Sequence, residues 1–112
     1  APADARAAAA HYEQAALLGH AQAMYNLGLM YVEGRSLPRN QTRAAAYFKR
    51  AANAGMVQAA YNLGVLYEGD ALGKPDIDSA IEWYEAAAGE AHREPAVAAR
   101  RLNRQRSQSA KQ

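Results

Sequence analysis

A ten-residue run returns 36 residues later, and that recurrence constrains the fold more than any other feature of the chain. Gln22-Ala23-Met24-Tyr25-Asn26-Leu27-Gly28-Leu29-Met30-Tyr31 comes back as Gln58-Ala59-Ala60-Tyr61-Asn62-Leu63-Gly64-Val65-Leu66-Tyr67. The register then holds without a gap. Ala44, Ala51 and Ala52 return as Ala80, Ala87 and Ala88, and Tyr47-Phe48 returns as Trp83-Tyr84. A period of this size marks a repeat array, in which each unit cannot bury its apolar face alone and must stack on a neighbour. Such arrays usually hold partners rather than perform chemistry.

The rest of the composition agrees with one small helical domain. Half of the 112 residues are apolar, but many of these are Ala, and the aromatic residues are Phe48, Trp83 and seven Tyr. An Ala-rich, Val-poor mixture favours closely packed helices over sheet, so the expected class is all-α. No apolar run is long enough for a membrane span. The absence of cysteine excludes disulfides, thiolate catalysis and Cys-based zinc sites. The chain begins Ala1-Pro2-Ala3 without Met, which reads as a processed or excised piece of a longer protein.

Helix punctuation repeats with the same period. Asp4, Asn40 and Asp76 each precede an Ala-rich stretch and can cap it. Gly19 and Gly55 suit the left-handed position after a helix end. Each unit then holds two helices. The expected A helices cover 21–33 and 57–68; the expected B helices cover 4–18, 41–54 and 77–88. Gly and Pro mark the loops at 34–39 and 69–75. Gly28 and Gly64 fall inside the A helices, where Gly costs about 1 kcal/mol relative to Ala. Their recurrence predicts a close helix crossing, with Ala44, Ala51, Ala80 and Ala87 as the facing surface.

The pattern resembles the Sel1-like repeat family, relatives of tetratricopeptide repeats. The matching residues are Leu27-Gly28-x-x-Tyr31 and Leu63-Gly64-x-x-Tyr67, the loop Gly, the capping Asn or Asp, and the run Ala44-x-x-Tyr47-Phe48-x-x-Ala51-Ala52-x-x-Gly55, repeated as Ala80-x-x-Trp83-Tyr84-x-x-Ala87-Ala88. The resemblance implies an α/α right-handed superhelical solenoid of helix pairs. A half unit covers 2–20, and full units cover 21–56 and 57–92. After His92 the pattern is lost. Residues 93–106 are expected to form a C-terminal capping helix, with Val97 and Leu102 covering the last B helix, and 107–112 a disordered tail.

No catalytic constellation emerges. His11, His20 and His92 lie at no ligand-like spacing to one another, so no metal is expected. Gly69-x-x-x-Gly73-Lys74 is one residue short of a phosphate loop and lacks the Ser or Thr after its Lys. Asp76-Ile77-Asp78 lacks the Gly that a calcium loop needs, and a capping role for Asp76 explains it. Asn40-Gln41-Thr42 is a glycosylation sequon that would matter only in a eukaryotic secretory route, whereas the Ala/Arg-rich composition points to a bacterium. No cofactor is implied.

The resemblance places the A helices on the concave side of the superhelix. Gln22, Tyr25, Asn26 and Leu29 share one face of the first A helix, and Gln58, Tyr61, Asn62 and Val65 share one face of the second. Amides can pair with the backbone of an extended peptide, and Tyr gives rigid contact area with a polar tip. Related tetratricopeptide domains hold a peptide carboxylate with Asn at the positions of Asn26 and Asn62, and Arg101 is the candidate to complete such a clamp here. Asn26 and Asn62 as bridges between repeats are the other reading.

The expected function is a non-catalytic scaffold or adaptor that binds a protein or peptide ligand in the concave groove, as a monomer or weak homo-oligomer. The resemblance implies a bacterial cell-envelope, signalling or inhibitor role, in the periplasm or cytoplasm. The charge distribution supplies an alternative. Residues 1–92 carry seven Lys/Arg against ten Asp/Glu, whereas 93–112 carry six against one. Arg100, Arg101, Arg104, Arg106 and Lys111 could bind a polyanion, either nucleic acid or an anionic surface. The tail has no aromatic residue to stack on bases, so nucleic acid is not the expected partner. An enzyme acting on cell-wall or antibiotic substrates is a third possibility that the family suggests.

Overall fold

The computed structural model describes residues 2–89 and Leu102. Five helices follow in order: α1 Pro2–Leu17, α2 Ala21–Glu33, α3 Gln41–Asn53, α4 Val57–Glu68 and α5 Ile77–Ala88. All regular structure among the described residues is α-helical. The expected boundaries hold to within a residue or two. The N-terminal end of α1 is the difference: it begins at Pro2, so Asp4 lies in its first turn and is not a cap. Proline's fixed φ suits the start of a helix, and an acidic group one turn in faces the positive end of the helix dipole. The chain divides into two compact units, one up to Ala59 and one from Ala60 onward.

In the first unit, α2 packs against both α1 and α3. Ala9 and Ala16 of α1, Met24, Leu27 and Tyr31 of α2, and Ala44, Phe48 and Ala51 of α3 are buried. The loop after α2 is closed by two local bonds. The Asn40 N–H donates to the Tyr31 carbonyl at 3.0 Å, and the Asn40 side chain accepts from the Arg43 N–H at 3.0 Å. The first bond returns the chain to the end of α2, and the second satisfies a free donor at the start of α3. The exits of α1 and α3 are alike. Gly19 and Gly55 take φ of 91° and 99°, and the following residues, His20 and Met56, donate to the carbonyls of Ala15 and Ala51 at 3.1 and 3.0 Å. This six-residue closure requires a left-handed residue, which Gly adopts without strain.

The second unit repeats the loop chemistry. The Asp76 N–H donates to the Tyr67 carbonyl at 2.8 Å, and Asp76 accepts from the Ser79 N–H at 3.1 Å and the Ser79 hydroxyl at 2.7 Å. Ala80, Ile81, Tyr84 and Leu102 form its core cluster, with Tyr61, Tyr67 and Ile77 packed around it. Leu102 is fully buried there. The rest of the expected capping helix and tail, Val97 included, lies outside the described residues. Trp83 is only half-buried and does not belong to this cluster.

The mid-helix glycines mark close crossings, but what faces them is an aromatic ring rather than alanine. A Cβ on Gly28 would lie 2.5 Å from Cε1 of Phe48, and one on Gly64 would lie 2.5 Å from Cε1 of Tyr84. Each ring sits so close to the A helix that only a hydrogen fits at the glycine. The alanines of α3 are buried alongside, where their small size lets the two backbones approach.

Candidate functional site

The expected binding face of α2 is partly closed on itself. Gln22 is exposed, and its amide donates to the Asn26 side chain at 3.1 Å, one helical turn away. Tyr25 is half-buried, with its ring tilted against Phe48 at a centroid distance of 5.7 Å. Leu29 is half-buried beside them on the same helix. Gln58, at the start of α4, is exposed and belongs to the first unit. Tyr61, Asn62 and Val65 belong to the second. Tyr61 tilts against Tyr84 at 5.4 Å, and Val65 is 46% exposed. Both tyrosines are therefore half core and half surface, whereas the periodicity alone assigns them wholly to the ligand face. Arg101 lies outside the described residues.

A second constellation, which the sequence reading did not single out, sits in the first unit. The rings of Tyr31 and Tyr47 stack at 5.9 Å and 7°. The Arg43 guanidinium lies over the Tyr31 ring at 5.8 Å, and that of Arg50 lies over the Tyr47 ring at 5.6 Å. Arg43 Nη1 donates to the Tyr31 hydroxyl at 3.3 Å, and Arg50 Nη2 donates to the Ala16 carbonyl at 3.1 Å. An open recess of about 270 Å³ is lined by Arg43, Ala46, Tyr47 and Arg50. Burial raises the Tyr47 hydroxyl above its ordinary pKa, and nearby Tyr31 and Glu13 add to this, outweighing Arg50 and Arg43. The hydrogen bond to Tyr31 holds Arg43 firmly in its charged form. The sequence signal for this cluster is the spacing of Arg43, Tyr47 and Arg50 along one face of α3. It was hidden because the cations do not repeat: Ser79 and Ala86 stand at the corresponding places in α5.

Among the described residues, no group of three His, Asp or Glu is placed to hold a metal, and no charged side chain is buried. No described helix is long and apolar enough to cross a membrane.

Comparison with known proteins places the architecture. The Sel1 repeat profile matches residues 1–20, 21–56 and 57–92. The crystal structure of a Sel1 repeat protein from Oxalobacter formigenes superposes with a TM-score of 0.73 at 34% identity, covering 80% of this chain and 67% of that one. A protective antigen present in uropathogenic Escherichia coli strains, which displays an SLR fold, superposes with a TM-score of 0.69 at 34% identity over 72% of this chain. The chain spans only 17% of that antigen. Among curated proteins, none matches. Three profile matches in the register of the internal repeat, on an all-helical architecture shared with solved repeat proteins, show that the chain belongs to the Sel1 repeat family.

Proposed function

We propose that this Sel1 repeat scaffold is a non-catalytic adaptor that binds a protein or peptide along the exposed faces of α2 and α4, in a bacterial envelope, signalling or inhibitory setting. The observation that supports this most is the doubled set itself. Gln22, Tyr25, Asn26 and Leu29 recur as Gln58, Tyr61, Asn62 and Val65, although their exposed members are not needed to fill the core. An extended ligand presents backbone polar groups at regular intervals, which suits a regularly repeated receptor. The Gln22–Asn26 pair is held in register by its own hydrogen bond, so less side-chain freedom is lost when a ligand binds.

The test is selection of binding peptides from a random library on the full chain. Binding of the selected peptides should fall at least tenfold when Gln22→Ala, Gln58→Ala and Val65→Glu are combined, and should change little with salt. Peptides that ignore this triple change place the binding face elsewhere. Binding that collapses with salt and needs Arg100, Arg101 and Arg104 instead supports the polyanion reading, which the charge balance of 93–112 favours.

A further inference from the structure

We infer that Arg43, Tyr47 and Arg50, backed by Tyr31, form a second binding site on α3, one that takes a single glutamate side chain from a peptide segment. The helix pair does not require these arginines. The aromatic partners persist in the second unit, where Tyr67 and Trp83 stand for Tyr31 and Tyr47. The cations do not, since Ser79 and Ala86 replace Arg43 and Arg50. One α-helix of this repeat therefore folds without the two guanidinium groups that the other carries.

Those groups keep donor capacity in hand. A guanidinium has five N–H donors. Among the described residues, Arg43 gives one bond to Tyr31, Arg50 gives one to the Ala16 carbonyl, and neither forms an ion pair. Glu13 is in electrostatic reach of Arg43 and Tyr47, and it leaves both arginines facing the recess. The Tyr31 hydroxyl accepts from Arg43 and still has its own proton to donate. The cation–π contacts with the tyrosine rings, at 5.8 and 5.6 Å, and the hydrogen bonds to Tyr31 and Ala16 restrain each guanidinium beside the recess before a ligand arrives.

The shape of the recess selects the anion. Besides the two arginines the recess is lined by Ala46 and Tyr47, and a methyl and an aromatic ring offer apolar surface that suits the two methylenes of a glutamate stem. The carboxylate then meets guanidinium groups that pair with it through parallel hydrogen bonds. Inorganic phosphate has no apolar stem to lay on that surface. The surrounding repeat body is net acidic, with seven Lys/Arg against ten Asp/Glu over residues 1–92, and this disfavours a highly charged polyanion more than a single carboxylate. The site is built on α3 with Tyr31 of α2 behind it, and it does not use Gln22, Gln58 or Val65 of the α2 and α4 faces.

The experiment uses the full chain labelled for NMR observation of arginine Nε–H groups. The probe is an extended Gly/Ser peptide with a central glutamate, and the control is the same peptide with glutamine. The glutamate peptide should shift the Arg43 and Arg50 side-chain signals saturably, with a dissociation constant at least tenfold lower than that of the glutamine peptide. Ala46→Glu, which places a carboxylate in the recess without removing either arginine, should weaken the glutamate peptide at least tenfold while leaving helicity unchanged. R43Q with R50Q should abolish the shift difference between the two peptides, and R43K with R50K should keep only part of it. Equal binding of both peptides, or full binding by Ala46→Glu, overturns the site. So does inorganic phosphate or polyphosphate binding more tightly than the glutamate peptide, which assigns the arginines to a different ligand.

Discussion

Tyr84 donates its hydroxyl to Oε1 of Glu68 at 2.7 Å, and the two residues stand where the preceding unit has Phe48 and Val32. The hydroxyl and its acceptor appear together in one unit and are missing together from the other. Both rings occupy the same place over a mid-helix glycine and are equally buried. The added oxygen is tolerated because a carboxylate one element away accepts its hydrogen bond. A buried donor left without an acceptor costs about 1–3 kcal/mol.

Glu68→Val should therefore destabilise the chain by about 1–3 kcal/mol in urea unfolding, and adding Tyr84→Phe should recover most of the loss. The converse transplant makes the same point in the first unit. Phe48→Tyr alone should destabilise, and Phe48→Tyr with Val32→Glu should do so less. Additive effects in both cycles would mean that the pairs act independently.

The contact between Gly28 and Phe48 gives a steric prediction. Gly28→Ala gains about 1 kcal/mol of helix propensity but forces a methyl against the ring, an overpacking that costs about 1–3 kcal/mol. The net effect should be a lower Tm. Phe48→Leu opens the space, so Gly28→Ala should be less harmful in that background than in the wild type. A Gly28→Ala chain that melts higher than the wild type would show that the ring moves aside at no cost.

Acid should loosen α5 at its N-terminal end. Asp76 is held below the ordinary carboxylate pKa, first by the Ser79 hydroxyl and then by the Ser79 backbone N–H. A carboxyl depressed on folding contributes stability that is fully present above its unfolded pKa, about 3.9. That contribution is lost as pH falls through the lower folded value. Asn40 caps α3 with an amide that does not titrate. Amide exchange at Ser79 and Ala80 should rise relative to Arg43 and Ala44 as pH falls below about 4, and Asp76→Asn should remove the difference.

Tyr25 and Tyr61 should prove harder to remove than a surface position would be. Their ring contacts with Phe48 and Tyr84 are the kind worth about 0.5–1.5 kcal/mol beyond area burial. Tyr61→Ala should lower Tm measurably by circular dichroism, whereas Gln22→Ala should leave it within error. Binding studies of the α2 and α4 faces are cleaner at Gln22, Gln58 and Val65 for that reason.

The repeat, the helix boundaries and the caps at Asn40 and Asp76 were legible in the amino-acid sequence because each is local. A cap acts on an N–H three residues away, a left-handed Gly closes its own turn, and a period of 36 registers in the order of residues alone. The family followed from the same signals. Tertiary structure decided what occupies the space between helices. Sequence periodicity marked Gly28 as a crossing point, but only the packing of α3 on α2 put the Phe48 ring there in place of alanine. Tyr25 and Tyr61 shared a face with polar residues, yet their rings reach back to the core because a tyrosine is long enough to span from a half-exposed position to a buried neighbour. The arginine–tyrosine cluster was least visible of all. It joins the Ala16 carbonyl with Tyr31, Tyr47 and Arg50 from three helices, and groups that far apart in sequence meet only once the helices have packed.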